Sequence, residues 1–224
     1  DGKGGVERGR EVVVDRKEAA SALAGVIGFA DVLGDASHHG RYTLEQFSTG
    51  KYMRLDSAAQ KALNVLKSKT DANDSFSLYG LMDRCATPMG KRLLKTWLKQ
   101  PLTTKADIEK RLDVVEVLMA DGSARADLRE VQFRGVPDVH RLGRRLDTRA
   151  ATLKELCDLH RMCTRLPGVV HVLKDCINAA ANDEGCAKAQ LIRDSYITPL
   201  EQASNREHLG KFQELVEAAV DFER

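Results

Sequence analysis

The stretch from Leu78 to Glu116 constrains this chain more than any other, because it writes a helix with both of its ends marked. Thr87 followed by Pro88 is a start signal: the hydroxyl can accept from free N–H groups, and Pro at the first helical position gives up no needed donor. Pro101 closes the same helix. On a helical wheel Met89, Leu93, Leu94, Trp97 and Leu98 share one half, while Lys91, Arg92, Lys95 and Lys99 share the other. Gly90 falls in the apolar half, where a missing side chain would let a neighbouring backbone approach. After a short link, Thr104 with Asp107 three residues on resembles a capping box, and Ile108, Leu112, Val114, Val115, Leu118 and Met119 form a second apolar stripe. Helices joined so briefly must lie against each other or against a shared third element, so this pair is expected at the centre of a helical core. Trp97, in the middle of its stripe, is expected to be core: Trp97→Ala should cost roughly 3–5 kcal/mol and Lys95→Ala less than about 0.5 kcal/mol.

Apolar residues make up 42% of the 224, enough for a packed core, while aromatic residues are only 5%. A core of Leu, Val, Ala and Ile favours helices over a sheet sandwich, so the fold class expected is all-α and multi-helical. One small hairpin is expected near 41–55, where Tyr42-Thr43-Leu44 and Tyr52-Met53-Arg54-Leu55 flank Ser48-Thr49-Gly50.

The run Thr87-Pro88-Met89-Gly90-Lys91-Arg92-Leu93-Leu94, then Trp97-Leu98, Gln100-Pro101-Leu102 and Ile108 through Arg111-Leu112-Asp113-Val114-Val115-Glu116, resembles the core (lever) region of the MutS family of DNA mismatch-repair proteins. Tyr52-Met53-Arg54-Leu55-Asp56 and Ala62-Leu63-Asn64-Val65-Leu66 fit the same family. The Ala-Leu-Asn form, with Pro137-Asp138 ahead of Arg141-Leu142, is closer to the eukaryotic MutS homologue 2 type. Many family members carry Gly before the Ser-Leu that opens the central helix, whereas Phe76 precedes Ser77-Leu78 here.

The resemblance implies a core/lever domain over 18–224, cut before the clamp, with 1–17 a linker or the tail of a preceding connector domain. It implies a structural segment joining mismatch binding to ATP-driven conformational change, in a nuclear protein that pairs with another MutS homologue, engages MutL homologues and binds mismatched duplex DNA. ATP and Mg belong to the full-length family, and no cofactor is expected on this segment. The competing reading is a freestanding helical nucleic-acid-binding module using its basic helix faces.

Along the chain, Ala19, Leu23, Val26, Ile27, Ala30 and Leu33 repeat at helical spacing until Gly34. Asp56 can cap a helix carrying Ala59, Leu63 and Leu66. Ser123 is expected to start a short helix through Val131, Pro137 another, and Thr152 a third that ends at Pro167-Gly168. Val169 to Ile177 reads as a further helix, and a last one runs from about Ser204 past Val220, its lack of a stop signal suggesting truncation. Apolar surface is expected to be exposed on that helix and on Glu18–Leu33, where missing domains would have covered it.

Charge is balanced overall, 35 basic against 33 acidic residues, but locally uneven. Residues 83–111 hold eight Lys/Arg against three Asp/Glu, and 134–149 hold five against two. The Arg141-Arg144-Arg145-Arg149 group could contact phosphates, with a solvated helix face as the plain alternative. The Gly-rich opening is no phosphate loop, since Lys3 is followed by Gly4. No catalytic, cofactor-binding or metal residue is assigned: Asp138 and His140 are two apart and expected on different helix faces, and Cys157 and Cys163 read as buried small hydrophobes. Five cysteines without a Cys-x-x-Cys pair suit reduced thiols.

Overall fold

The computed structural model describes residues 17–29, 34, 42, 49–68, 73–179, 185–204 and 209–220. The chain divides into two compact units, residues 1–50 and 51–224. In the first, α1 (Lys17–Phe29) follows the expected periodicity and buries none of its residues, with Val26 and Phe29 exposed. Ala30 and Leu33 of the expected stripe lie outside the described residues.

The second unit contains α2 (Ser57–Ala62), α3 (Leu78–Met82), α4 (Pro88–Lys99), α5 (Lys105–Ala120), α6 (Gly122–Asp127), α7 (Val139–Asp147), α8 (Leu153–Ala179), α9 (Gly185–Ile192), α10 (Thr198–Ala203) and α11 (Lys211–Ala219). Two π-helical turns, Leu128–Gln132 and Arg193–Ile197, extend α6 and α9. Among the described residues there is no strand, so the fold is all-α. The expected hairpin falls partly outside the described residues. Residues 43–48 lie outside the described residues, and Tyr52 makes a single antiparallel bridge with Leu102, supported by Met53 N–H donating to the Pro101 carbonyl at 2.8 Å.

Several ends are where the sequence puts them. Thr87 accepts from Gly90 N–H at 3.1 Å to start α4, and Asp56 accepts from Ala59 N–H at 2.7 Å to start α2. Helix α2 stops early, at Ala62, because Asn64 turns left-handed with φ 48°. Asn tolerates that conformation better than most residues. Its Nδ2 donates to the Phe76 carbonyl, and its own carbonyl accepts from Leu78 N–H at 2.9 Å. Asn64 thereby docks α2 on the start of α3, where buried Ser77 caps Gly80 N–H. Phe76 occupies the position before Ser77 without strain, its ring exposed.

Other starts shift by physical preference for a better cap. Asp121, not Ser123, caps α6, and Asp138 rather than Pro137 caps α7, since a carboxylate one or two residues away reaches the free N–H groups. The capping box at Thr104 is not made: Thr104 forms no side-chain cap bond, and Asp107 is a methylene shorter than the usual Glu. Among the described residues the last α-helix runs from Lys211 to Ala219, while Ser204, where the sequence put its start, ends α10 with its N–H on the Leu200 carbonyl. Gly90 matters for a reason other than the one expected: a Cβ there would sit 3.1 Å from Thr87 Oγ1, crowding the cap rather than a neighbouring backbone.

The largest departure is the centre of the core. Helix α8 runs unbroken for 27 residues, through Pro167, and buries His160, Cys163, Val169, Val170, Val172, Cys176 and Ile177. An internal Pro costs about 3 kcal/mol in a helix, which the burial of residues on both sides of it offsets. Gly168 lets Gln132 come against the helix there: a Cβ at 168 would lie 2.6 Å from Gln132 Oε1. Around α8 gather Val117 of α5, Ala124 of α6, Leu128 and Ile197 of the two π-helical turns, and Ile192 of α9. Val216 of α11 is also buried, and α11 packs on α8, where His160 Nε2 lies 2.9 Å from Glu217 Oε1.

Helix α4, in contrast, buries no residue. Leu93 is 52% exposed and Trp97 37% exposed, so the expectation that Trp97 is core is corrected: its ring is covered by the Arg111 guanidinium, 3.8 Å from the ring centroid. On α5 the inward side is Val114, Val117 and Leu118, while Leu112, Val115 and Met119 are exposed. Lys95 also does more than expected, standing over the Tyr79 ring at 4.7 Å, a contact worth about 0.5–1 kcal/mol.

These burials rank two truncations. Ile177→Ala is expected to destabilise by about 2–5 kcal/mol and Leu93→Ala by less than about 1 kcal/mol, read as a shift in the urea midpoint at constant slope.

Candidate interaction and coupling face

Helix α7 is a short basic helix with one buried side chain, Leu142, so charge rather than apolar area must fix its position. Asp138 does so at one end. Its Oδ1 accepts from Arg92 Nη2 at 2.8 Å, its Oδ2 pairs with Arg92 Nη1, and Oδ1 also accepts from Arg141 N–H at 3.2 Å. One carboxylate thus caps α7 and ties it to α4 through a two-point Arg fork. The Arg92 hydrogen bonds hold the Asp138 carboxyl far below the usual carboxylate range, outweighing partial desolvation, with the Arg141 N–H adding to the effect. His140 joins the same group, its Nδ1 3.2 Å from Arg92 Nη2. Arginine can only donate, so Nδ1 accepts. The expectation that Asp138 and His140 face apart is corrected: both converge on Arg92, because Asp138 stands outside the helix as its cap.

The other end of α7 is held by Arg145. Its Nη2 donates to the Ala150 carbonyl at 2.7 Å, and its Nε lies 3.1 Å from Glu155 Oε1, too far off line for a hydrogen bond but within ion-pair range. Glu155 belongs to the first turn of α8, where it accepts from Thr152 N–H at 2.8 Å and Thr152 Oγ1 at 3.0 Å. Those bonds, the backbone one first, hold its carboxyl below the usual range. Thr152 and Glu155 are a true capping box, and the box also carries the ion pair. The result is a continuous relay from α4 through Arg92, Asp138, α7, Arg145 and Glu155 to the start of the central helix.

The connection from α3 to α4 is similarly fixed. Asp83 accepts from Tyr79 Oη at 2.7 Å and Cys85 N–H at 3.1 Å. Desolvation pushes its carboxyl up, but those bonds and the charge of Lys91 outweigh it and hold Asp83 below its ordinary value. Burial pushes the Cys163 and Cys176 thiols up, so both behave as small apolar groups, whereas Cys157 is only half-buried. Among the described residues no three His, Cys, Asp or Glu side chains gather as a divalent cation requires. No helix of the described residues is long and apolar enough to cross a membrane.

Of the four arginines grouped by sequence, then, Arg145 is committed to structure while Arg141, Arg144 and Arg149 are exposed. The relay itself escaped sequence reasoning. Arg92 and Asp138 are 46 residues apart, with no local pattern to join them. The Thr152-x-x-Glu155 spacing was a visible signal for the other half.

A family model described as MutS domain III matches residues 58–223. The chain is 40% identical over 223 residues to the DNA mismatch repair protein MSH2 of Arabidopsis thaliana, covering 99% of this chain and 23% of that protein. It is 30% identical over 225 residues to the DNA mismatch repair protein MSH2 of Saccharomyces cerevisiae, covering 92% and 23%. A shorter match, 39% over 103 residues, relates 46% of the chain to 8% of the DNA mismatch repair protein MSH6 of Saccharomyces cerevisiae. The chain spans less than a quarter of the curated relatives it matches.

The relay yields a pH signature. Asp138→Asn keeps a good cap but removes the charge. Because the folded carboxyl is depressed, the stability it contributes is present above the ordinary Asp value of about 3.9 and is lost as pH falls below it. The urea-midpoint gap between wild type and Asp138→Asn is therefore expected to be full near neutral pH and to narrow steadily in acid.

Proposed function

The chain belongs to the MutS family of DNA mismatch-repair proteins, of the MSH2 type, and from that premise we propose that it works as the helical core, or lever, of a mismatch-recognition protein. In that role it carries displacement between a DNA-binding part and an ATP-hydrolysing part, and does no chemistry of its own. The observation that carries the reading is α8: 27 residues, on the order of 40 Å, with buried side chains from His160 to Ile177 and its second half packed into the core cluster. An element packed in this way moves as a body instead of deforming continuously, which is what transmission over distance needs.

The ion-pair relay supports the same role, because it gives α4 a stiff connection to the start of α8. On this reading the intact protein pairs with a second MutS homologue, engages mismatched duplex DNA and MutL homologues, binds ATP and Mg in a separate domain, and acts in the nucleus. Similarity to both MSH2 and MSH6 sequences supports a core shared between homologues that pair.

A lever neither reads mismatches nor binds nucleotide. Isothermal titration of this chain with ATP is expected to give no saturable heat. Fluorescence anisotropy is expected to give equal affinities for matched and mismatched duplex at both low and high salt. Saturable ATP uptake, or a mismatch preference that survives high salt, would overturn the assignment.

A further inference from the structure

We infer that the outer faces of α4 and α7 together form a contact surface for the phosphate backbone of duplex nucleic acid, independent of sequence and of mismatch. The Arg92–Asp138 fork fastens the N-terminal end of α7 to α4, so the exposed charges of the two helices lie near one joint. That fork also consumes Asp138, and Glu155 consumes Arg145, which leaves Lys91, Lys95, Lys99, Arg141, Arg144 and Arg149 exposed. Among the described residues none of the six side chains is in an ion pair, although Lys95 rests on the Tyr79 ring, Lys91 feels the charge of Asp83 and Arg141 that of Glu155. Lys91, Lys95 and Lys99 recur one turn apart along α4, and Arg141 and Arg144 are neighbours on α7.

The chemistry of the surface selects the partner. An acidic protein segment would need apolar anchors seated between the cations to hold it. By helical spacing the apolar residues of α4 and α7 lie on the opposite halves of their helices, so the cationic halves offer mainly charge and hydrogen-bond donors, with exposed Asp147 three residues from Arg144 the one carboxylate of α7 beside them. A phosphate backbone asks for nothing more, and exposed Lys and Arg supply position without sequence information. This surface is a separate proposition from the lever assignment and fails or stands by itself.

The test is fluorescence anisotropy of the whole chain with a fluorescein-labelled mixed-sequence duplex between about 50 and 200 mM salt, comparing wild type with the double variant Arg141→Gln/Arg144→Gln. Neither side chain is in an ion pair, so the variant is expected to keep its circular dichroism and melting temperature. Removing two phosphate contacts is expected to reduce the slope of log affinity against log salt by about 2, equally for matched and mismatched duplex. Arg193→Gln, in the second π-helical turn, is the control and is expected to change nothing. Absence of salt-dependent binding, or a double variant that binds like wild type, would overturn the inference. Poly-glutamate displacing the duplex at equal charge concentration would overturn it in favour of an acidic protein partner. Mismatch preference persisting at high salt would sink the lever assignment instead, while the Arg141/Arg144 comparison would still decide this one.

Discussion

The packed core of the 51–224 unit depends on burying one face of α8. A helix of 27 residues interrupted by proline would not hold together in water on propensity alone. It persists because Val169, Val170, Val172, Cys176 and Ile177 are removed from solvent by five separate elements. Apart from the 16-residue α5, those elements are only about one or two turns long. None could be stable alone, so the dependence is mutual: α8 organises them and they keep α8 continuous through Pro167. The π-helical turns belong to this arrangement, since Leu128 and Ile197 point into the same cluster.

Charge finishes what apolar burial leaves undone. Helices α4 and α7 contribute little to the main cluster, and their places are set by Asp138 and Glu155, each of which caps a helix while pairing with an arginine. A carboxylate held by several donors at once is costly to displace, so these joints are stiff despite being near the surface. On the proposed lever reading that division of labour is useful: a packed helix would carry the motion, and a short polar chain attaches an outer helix to its end. It also separates the cations that are spent on structure from those that remain to meet a partner.

How much of this was legible in the sequence follows from which forces act locally. Thr87-Pro88 at one end of α4 and Asp56 before α2 were readable, because a cap is an interaction within four residues. The family resemblance was equally readable in the run from Thr87 to Glu116. What failed was inference from segregation to burial. The wheel correctly divides α4 into apolar and basic halves, yet nothing in that pattern says what covers the apolar half, and Leu93 and Trp97 remain exposed. Pro167-Gly168 misled for the complementary reason: locally it ends a helix, and only non-local packing of Cys163 and Val169 overrides it. The Arg92–Asp138 joint had no local signature at all.

Hydrogen exchange resolved by segment tests the central claim most directly, since a lever must not open along its length before the whole unit does. The account predicts that amides from Val169 to Ile177 exchange slowest, with the free energy of global unfolding, and that α4 exchanges well before them. If α8 opened locally on either side of Pro167 while α4 stayed protected, the central helix would be no lever, and the organisation described for this unit would be wrong.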